Sequence, residues 1–135
     1  MSAARLFRIA GYAALFDIAD GARDIIRPGA FSGWLTARGD PLPLLWQHRP
    51  GQRIGTVEQL REDERGLRVI ARVESVASYG AKLLREGAVS GLSFGYRARC
   101  YRLTPAGRVL EDVELIEISL VTHPLQQLAR VHLLH

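Results

Sequence analysis

The chain has 135 residues and a mass of 15.0 kDa, enough for one domain and too little for two. Apolar residues make up 47% and charged residues 24%, which excludes a disordered or fibrous chain. The one cysteine, Cys100, excludes an internal disulfide framework and a multi-cysteine zinc site. The net charge of +4 rests on arginine, since Lys82 is the only lysine among 18 basic residues. The arginines scatter from Arg5 to Arg130 without a run or a basic stripe, so nucleic-acid binding has little support. No apolar stretch after Met1 is long enough for a signal peptide or membrane span, which predicts a soluble protein that works where it is made.

Residues 6–16 read as a first strand with a bend or bulge at Gly11. Residues 17–27 read as a loop. Pro28 suits a first helical turn, and Phe31, Trp34 and Leu35 at i, i+3, i+4 predict a short helix to about Arg38 with one face toward a core. Gly39-Asp40-Pro41 would end it. Residues 42–47 read as a strand and 48–53 as a turn. Residues 54–61 and 67–73 read as a hairpin around a five-residue loop. Residues 75–86 suit an amphipathic helix with Ser75 as a cap and Gly87 as its stop. Residues 91–101 and 109–121 read as strands, and 125–131 as a short helix. The sum is mainly β: about six strands with two or three helices. It predicts a closed or nearly closed antiparallel barrel flanked by those helices, a single domain over residues 1–135.

Three polar residues stand in strongly apolar neighbourhoods. Glu117 lies within Leu115-Ile116-Glu117-Ile118-Ser119-Leu120-Val121, where a carboxylate is costly to bury without hydrogen bonds. Strand alternation puts Glu117 on one face with Leu115, Ser119 and Val121. That face is either partly solvated, with Glu117 paired to an arginine, or part of a site. Ser93 lies between Gly91 and Gly95, which would let backbone approach closely and expose the hydroxyl. It is either an ordinary strand serine at a bulge or a nucleophile. The chain runs on as strand afterwards, unlike the sharp strand-to-helix elbow of the hydrolases with a parallel sheet. His48 precedes Arg49-Pro50-Gly51 and either caps a strand or acts as a general base. A serine hydroxyl needs a base within reach, and the base needs a third group on its other nitrogen. His48, Ser93 and Glu117 supply those three chemical types.

At these residues the sequence resembles the prohead proteases of tailed bacteriophages and gene transfer agents, in the wider group that includes herpesvirus assemblin. The resemblance rests on short blocks in order: Gly11 to Asp17, Arg27 to Phe31, Leu44 to His48, Ile54-Gly55, Arg65-Gly66-Leu67, Gly91 to Tyr96, and Glu117 to Pro124. It implies an assemblin-like barrel and a serine endopeptidase that matures the procapsid. The substrates would be scaffold, or a scaffold-like N-terminal extension of the major capsid protein, and the enzyme itself. His48 would be the base and Ser93 the nucleophile. The third member would be Glu117, with His123 as the competing choice. Backbone groups near Gly91, Gly95 and Thr122 would support the oxyanion, since the stretch Thr122 to Gln127 lacks the paired arginines of the herpesvirus enzymes. The family also hints at a homodimer or higher oligomer, with activity gained on assembly. The resemblance places the enzyme in the bacterial host cytoplasm, inside the assembling procapsid. No metal or other cofactor is expected, since His48, His123, His132 and His135 lack close ligand spacing. The chain is short for the family and ends soon after the last shared block, so it would be a minimal enzyme or lack a self-processed C-terminal tail. A non-catalytic capsid core or scaffold-binding protein of the same fold is the alternative, and a nucleic-acid-associated packaging factor is a further one.

Overall fold

A computed structural model describes residues 6–38, 41–75 and 77–134. Its elements run β1 (Phe7–Leu15), β2 (Asp24–Ile26), α1 (Ser32–Ala37), β3 (Pro43–Trp46), β4 (Arg49–Glu62), β5 (Gly66–Val73), α2 (Tyr79–Arg85), β6 (Gly91–Thr104), β7 (Gly107–Val121) and β8 (Val131–Leu134). Period-2 patterning drives most of these. In β5, Leu67, Val69, Ala71 and Val73 are each 0% exposed while the residues between them are half-buried. Phe31 packs edge-on against Phe94 at 5.7 Å and lies 6.4 Å from Phe16, joining the start of α1 to the sheet.

The strands form one sheet in the order β2-β7-β3-β4-β5-β1-β8, with β6 also paired to β7. At 15 residues, β7 is long enough to hold β6 along one edge and both β2 and β3 end to end along the other. This corrects the expected antiparallel barrel. The sheet is mixed, because β2 and β3 run parallel to β7. Tight hairpins force antiparallel pairing, but β2 and β3 reach β7 through long excursions of chain, which permit a parallel match. The ladder is also not closed. At the seam between β6 and β8 only an isolated bridge, Gly91 with Arg130, spans the gap. Leu92 N–H to the Ala129 carbonyl and Val131 N–H to the Ser90 carbonyl, both 2.8 Å, flank it. Four-residue β8 pairs instead with β1.

Other expectations shift for identifiable reasons. The bulge in β1 falls between Tyr12 and Ala14 rather than at Gly11. Residues 17–27 contain β2, whose three residues are too few for a periodic signal. Helix α1 starts at Ser32, with Phe31 as its cap, and Trp34 and Leu35 are only half-buried. The expected stop at Gly39-Asp40 lies outside the described residues. Helix α2 is capped by Ser78, whose Oγ accepts from Ala81 N–H, and not by Ser75. Residues 125–131 form turns leading into β8 rather than a helix. There the Gln126 side chain replaces a strand partner, bonding the Leu15 N–H and carbonyl at 2.7 and 2.9 Å. Among the described residues no helix is long and apolar enough to cross a membrane.

Candidate active site

The expected turn at 48–53 is tighter than its sequence suggests. Trp46 pairs with Arg49 across the β3–β4 ladder, which leaves Gln47 and His48 as a two-residue loop. Both have positive φ, 52° and 58°, the backbone of a type I′ hairpin turn that ordinarily selects Asn-Gly. Left-handed backbone at two side-chain-bearing residues costs on the order of 1 kcal/mol or more each and persists only where surroundings impose it. Here they do. The Gln47 N–H donates to the Leu120 carbonyl at 2.9 Å, and its side chain exchanges two bonds with Thr122. The His48 N–H donates to Ser119 Oγ at 3.1 Å. Pro50 is tolerated in β4 because Leu45 next pairs with Arg53, so residues 50–52 bulge out of the ladder.

The turn delivers the His48 ring to Glu117. Nδ1 of His48 bonds Glu117 Oε1, although the two residues are 69 apart in sequence. A carboxylate only accepts, so this nitrogen carries the proton, and in the neutral ring the other nitrogen is an acceptor. Glu117 is 7% exposed. Its face of β7 is therefore buried rather than solvated, and its partners are His48 and Ser119, not an arginine. The Ser119 hydroxyl donates to Glu117 Oε2. The hydrogen bond to Glu117 raises the His48 pKa above its usual value, partial burial opposes it, and the carboxylate charge adds a lesser raise.

Strand β6 brings up the serine. Gly95 pairs with Glu117 and Ser93 with Ser119, so these four share one sheet face. A side chain at Gly95 would place its Cβ 2.4 Å from Glu117 Oε1, so only glycine lets the carboxylate lie across β6 toward His48. Ser93 is buried, at 5% exposed. Among the described hydrogen bonds none joins Ser93 to the His48 ring. Gly91 abuts Val121 and Pro124, where a Cβ would fall 2.6 Å from the Val121 carbonyl oxygen. The Thr122 N–H is engaged by Gln47 Oε1 at 3.2 Å. His123 is exposed in the turn after β7, and among the described hydrogen bonds none joins it to His48, Ser93 or Glu117. Two contributors escaped sequence reasoning. Ser119 was signalled by alternation, two residues beyond Glu117, whereas Gln47 carried no local signal.

A cleft of about 490 Å³ opens beside the pair. Pro43, Leu45, Pro50 and Ile116 give it apolar walls, His48, Glu117 and Gly95 lie along it, and Arg53 is on its lining. Ile116 is 51% exposed there, a large apolar side chain left open to solvent in the middle of a strand. The Arg53 guanidinium donates to the Gly55 carbonyl and Thr56 Oγ1, both neutral groups.

Comparison with known proteins agrees with this arrangement of elements. Residues 2–135 match the family model described as Caudovirus prohead serine protease. The prohead protease of Enterobacteria phage HK97 is 31% identical over 128 residues, covering 90% of this chain. The chain spans 57% of that relative's length. Among solved structures, the protease of Kaposi's sarcoma herpesvirus bound to a hexapeptide phosphonate inhibitor superposes with a TM-score of 0.70 at 14% identity, covering 97% of this chain and 66% of the other. The capsid assembly protease of bacteriophage T4 superposes with a TM-score of 0.66 at 14% identity, covering 84% and 80%. At such identities the two structures speak for a shared fold.

Proposed function

The chain belongs to the Caudovirus prohead serine protease family, and from that premise we propose that it is the serine endopeptidase domain that matures a procapsid, with Ser93 as nucleophile, His48 as base and Glu117 as the group that orients the base. The observation that carries this reading is the bond from His48 Nδ1 to the buried Glu117 carboxylate, made over the same sheet face that holds Ser93. In the mechanism the Ser93 hydroxyl attacks the scissile carbonyl carbon as its proton passes to His48 Nε2. Glu117 holds the resulting imidazolium and keeps the ring in the required tautomer. That proton then goes to the leaving amine, the C–N bond breaks, and an acyl-enzyme forms. Water resolves the acyl-enzyme by the same proton route in reverse. The Ser93–His48 hydrogen bond closes when substrate fills the cleft, as catalytic contacts often tighten only in the bound state.

Backbone N–H groups around Gly91, Gly95 and the Thr122 turn stabilise the oxyanion. Use of the Thr122 N–H requires Gln47 to release it. The apolar cleft beside His48 suits an extended peptide chain, with side chains packed on Pro43, Pro50 and Ile116. By family, the substrates are scaffold or a scaffold-like extension of the major capsid protein, and the chain itself. The site of action is the procapsid assembling in the bacterial host, with activity gained on dimerisation or higher assembly. The test is Ser93→Ala co-expressed with the major capsid protein. The substitution should abolish capsid-protein cleavage with the fold intact by circular dichroism. Cleavage that persists in the variant removes Ser93 as nucleophile.

A further inference from the structure

One hydroxyl lies between the base and the carboxylate without touching the reacting atoms. Ser119 is 0% exposed and stands directly across the β6–β7 ladder from Ser93. Its Oγ donates to Glu117 Oε2 and accepts from the His48 backbone N–H at 3.1 Å. A hydroxyl has one donor and two acceptor lone pairs, so both bonds form together. They fix two different things. The first pins the far oxygen of the carboxylate, which settles the rotation that presents the near oxygen to the imidazole. The second satisfies the amide of a residue held in left-handed backbone. Without Ser119, a buried carboxylate oxygen loses a donor and the strained turn loses a restraint.

We propose that Ser119 is the positioning residue of the site, locking the Glu117 carboxylate and the His48 turn into one frame so that the imidazole is held as the Nδ1-protonated base. The inference rests on the reading of His48, Ser93 and Glu117 given above. Ser119 is not a second nucleophile. Its hydroxyl is enclosed and its proton faces a carboxylate, not the ring.

A double-mutant cycle separates positioning from general structural support. With the full chain and a peptide spanning the capsid-protein cleavage site, Ser119→Ala should lower kcat about 10–100-fold, the loss expected for a hydrogen bond to a charged group, with KM little changed. In a Glu117→Gln background the same change should add less than about twofold, since its route of action is already gone. Ser119→Cys keeps the side-chain size with a weaker donor and should fall between Ala and wild type. The proposal is overturned if Ser119→Ala keeps wild-type kcat, or if its loss is equally large beside Glu117→Gln. If Ser119→Ala does not fold, wild-type kcat in Ser119→Cys overturns it in the same way. Ser93→Ala, assayed in parallel, isolates the underlying reading. Cleavage surviving in that variant sinks the catalytic assignment, whereas an inactive Ser93→Ala with a fully active Ser119→Ala sinks only the role given to Ser119.

Discussion

Two buried carboxylates hold this molecule together in opposite ways. Asp24, 3% exposed, takes a bidentate pair from Arg108, with both N···O distances 2.9 Å, and a further bond from the Tyr96 hydroxyl. Glu117, 7% exposed, takes the His48 imidazole and the Ser119 hydroxyl. Arginine stays charged at every ordinary pH. Its hydrogen bonds hold the Asp24 pKa below the usual carboxylate range, and the Tyr96 bond adds to this against burial. Asp24 therefore keeps its charge across the neutral range, and it ties β2 to β6 and β7. Histidine changes charge near neutrality. A buried acid paired with arginine is a fastener, whereas one paired with histidine can follow a proton through a reaction cycle.

The largest expected break in the comparison comes from Glu117→Gln. An amide in place of the carboxylate no longer holds the imidazole in one tautomer or stabilises its cation, so kcat/KM should fall about 10³–10⁴-fold with the melting temperature little changed. A full loss of turnover in His123→Ala, with Glu117→Gln unaffected, would reverse the assignment of the third residue. Gly95→Ala should come next. Its Cβ would fall 2.4 Å from Glu117 Oε1, displacing the carboxylate and lowering turnover about 10–100-fold in steady-state assays. Asp24→Asn should do the converse, with activity per folded molecule retained. Urea titration should find stability reduced by about 2 kcal/mol, a moderate figure because the Arg108 side chain is 38% exposed and water takes over part of its charge.

The smallest effect is a matter of pH, and His48 and Asp24 differ in sign. The folded pKa of His48 is raised above 6.5. Its stabilising pairing is therefore fully present below 6.5 and is lost as pH rises through the raised value. As a base the ring must be neutral, so kcat/KM should climb with pH through that same raised midpoint. Glu117→Gln should bring the midpoint back down, which NMR titration of the His48 ring in the Ser93→Ala background would follow. Asp24, with a lowered pKa, contributes stability above its ordinary 3.8 that is lost as pH falls through the folded value. Acid denaturation of Asp24→Asn should lack that component.

Much of the architecture could be read from local pattern. The period-2 run of β5 and the long strands β6 and β7 announced themselves, because side-chain alternation is a property of neighbouring residues. The anomaly of Glu117 among isoleucines was equally plain, and burial made it informative. The failures share a cause. Strand β2 has three residues, and it exists because Ile25 meets Val109. Gln126 turns a would-be helix into a cap for β1 from a distance of 111 residues. The left-handed turn at Gln47 and His48 contradicts its own residue preferences and is imposed by Thr122, Leu120 and Ser119.

Composition and periodicity thus established a mainly β chain and supplied an imidazole, a hydroxyl and a carboxylate as candidates. Whether they could act together depended on register: parallel β3 set against β7 at Leu45 and Ser119, and antiparallel β6 set against β7 at Ser93 and Ser119. Register is fixed by hydrogen bonds and packing between segments far apart in the chain, and a slip of one residue would turn Glu117 to the opposite face. No window of local sequence contains that information, since it exists only once the strands have met.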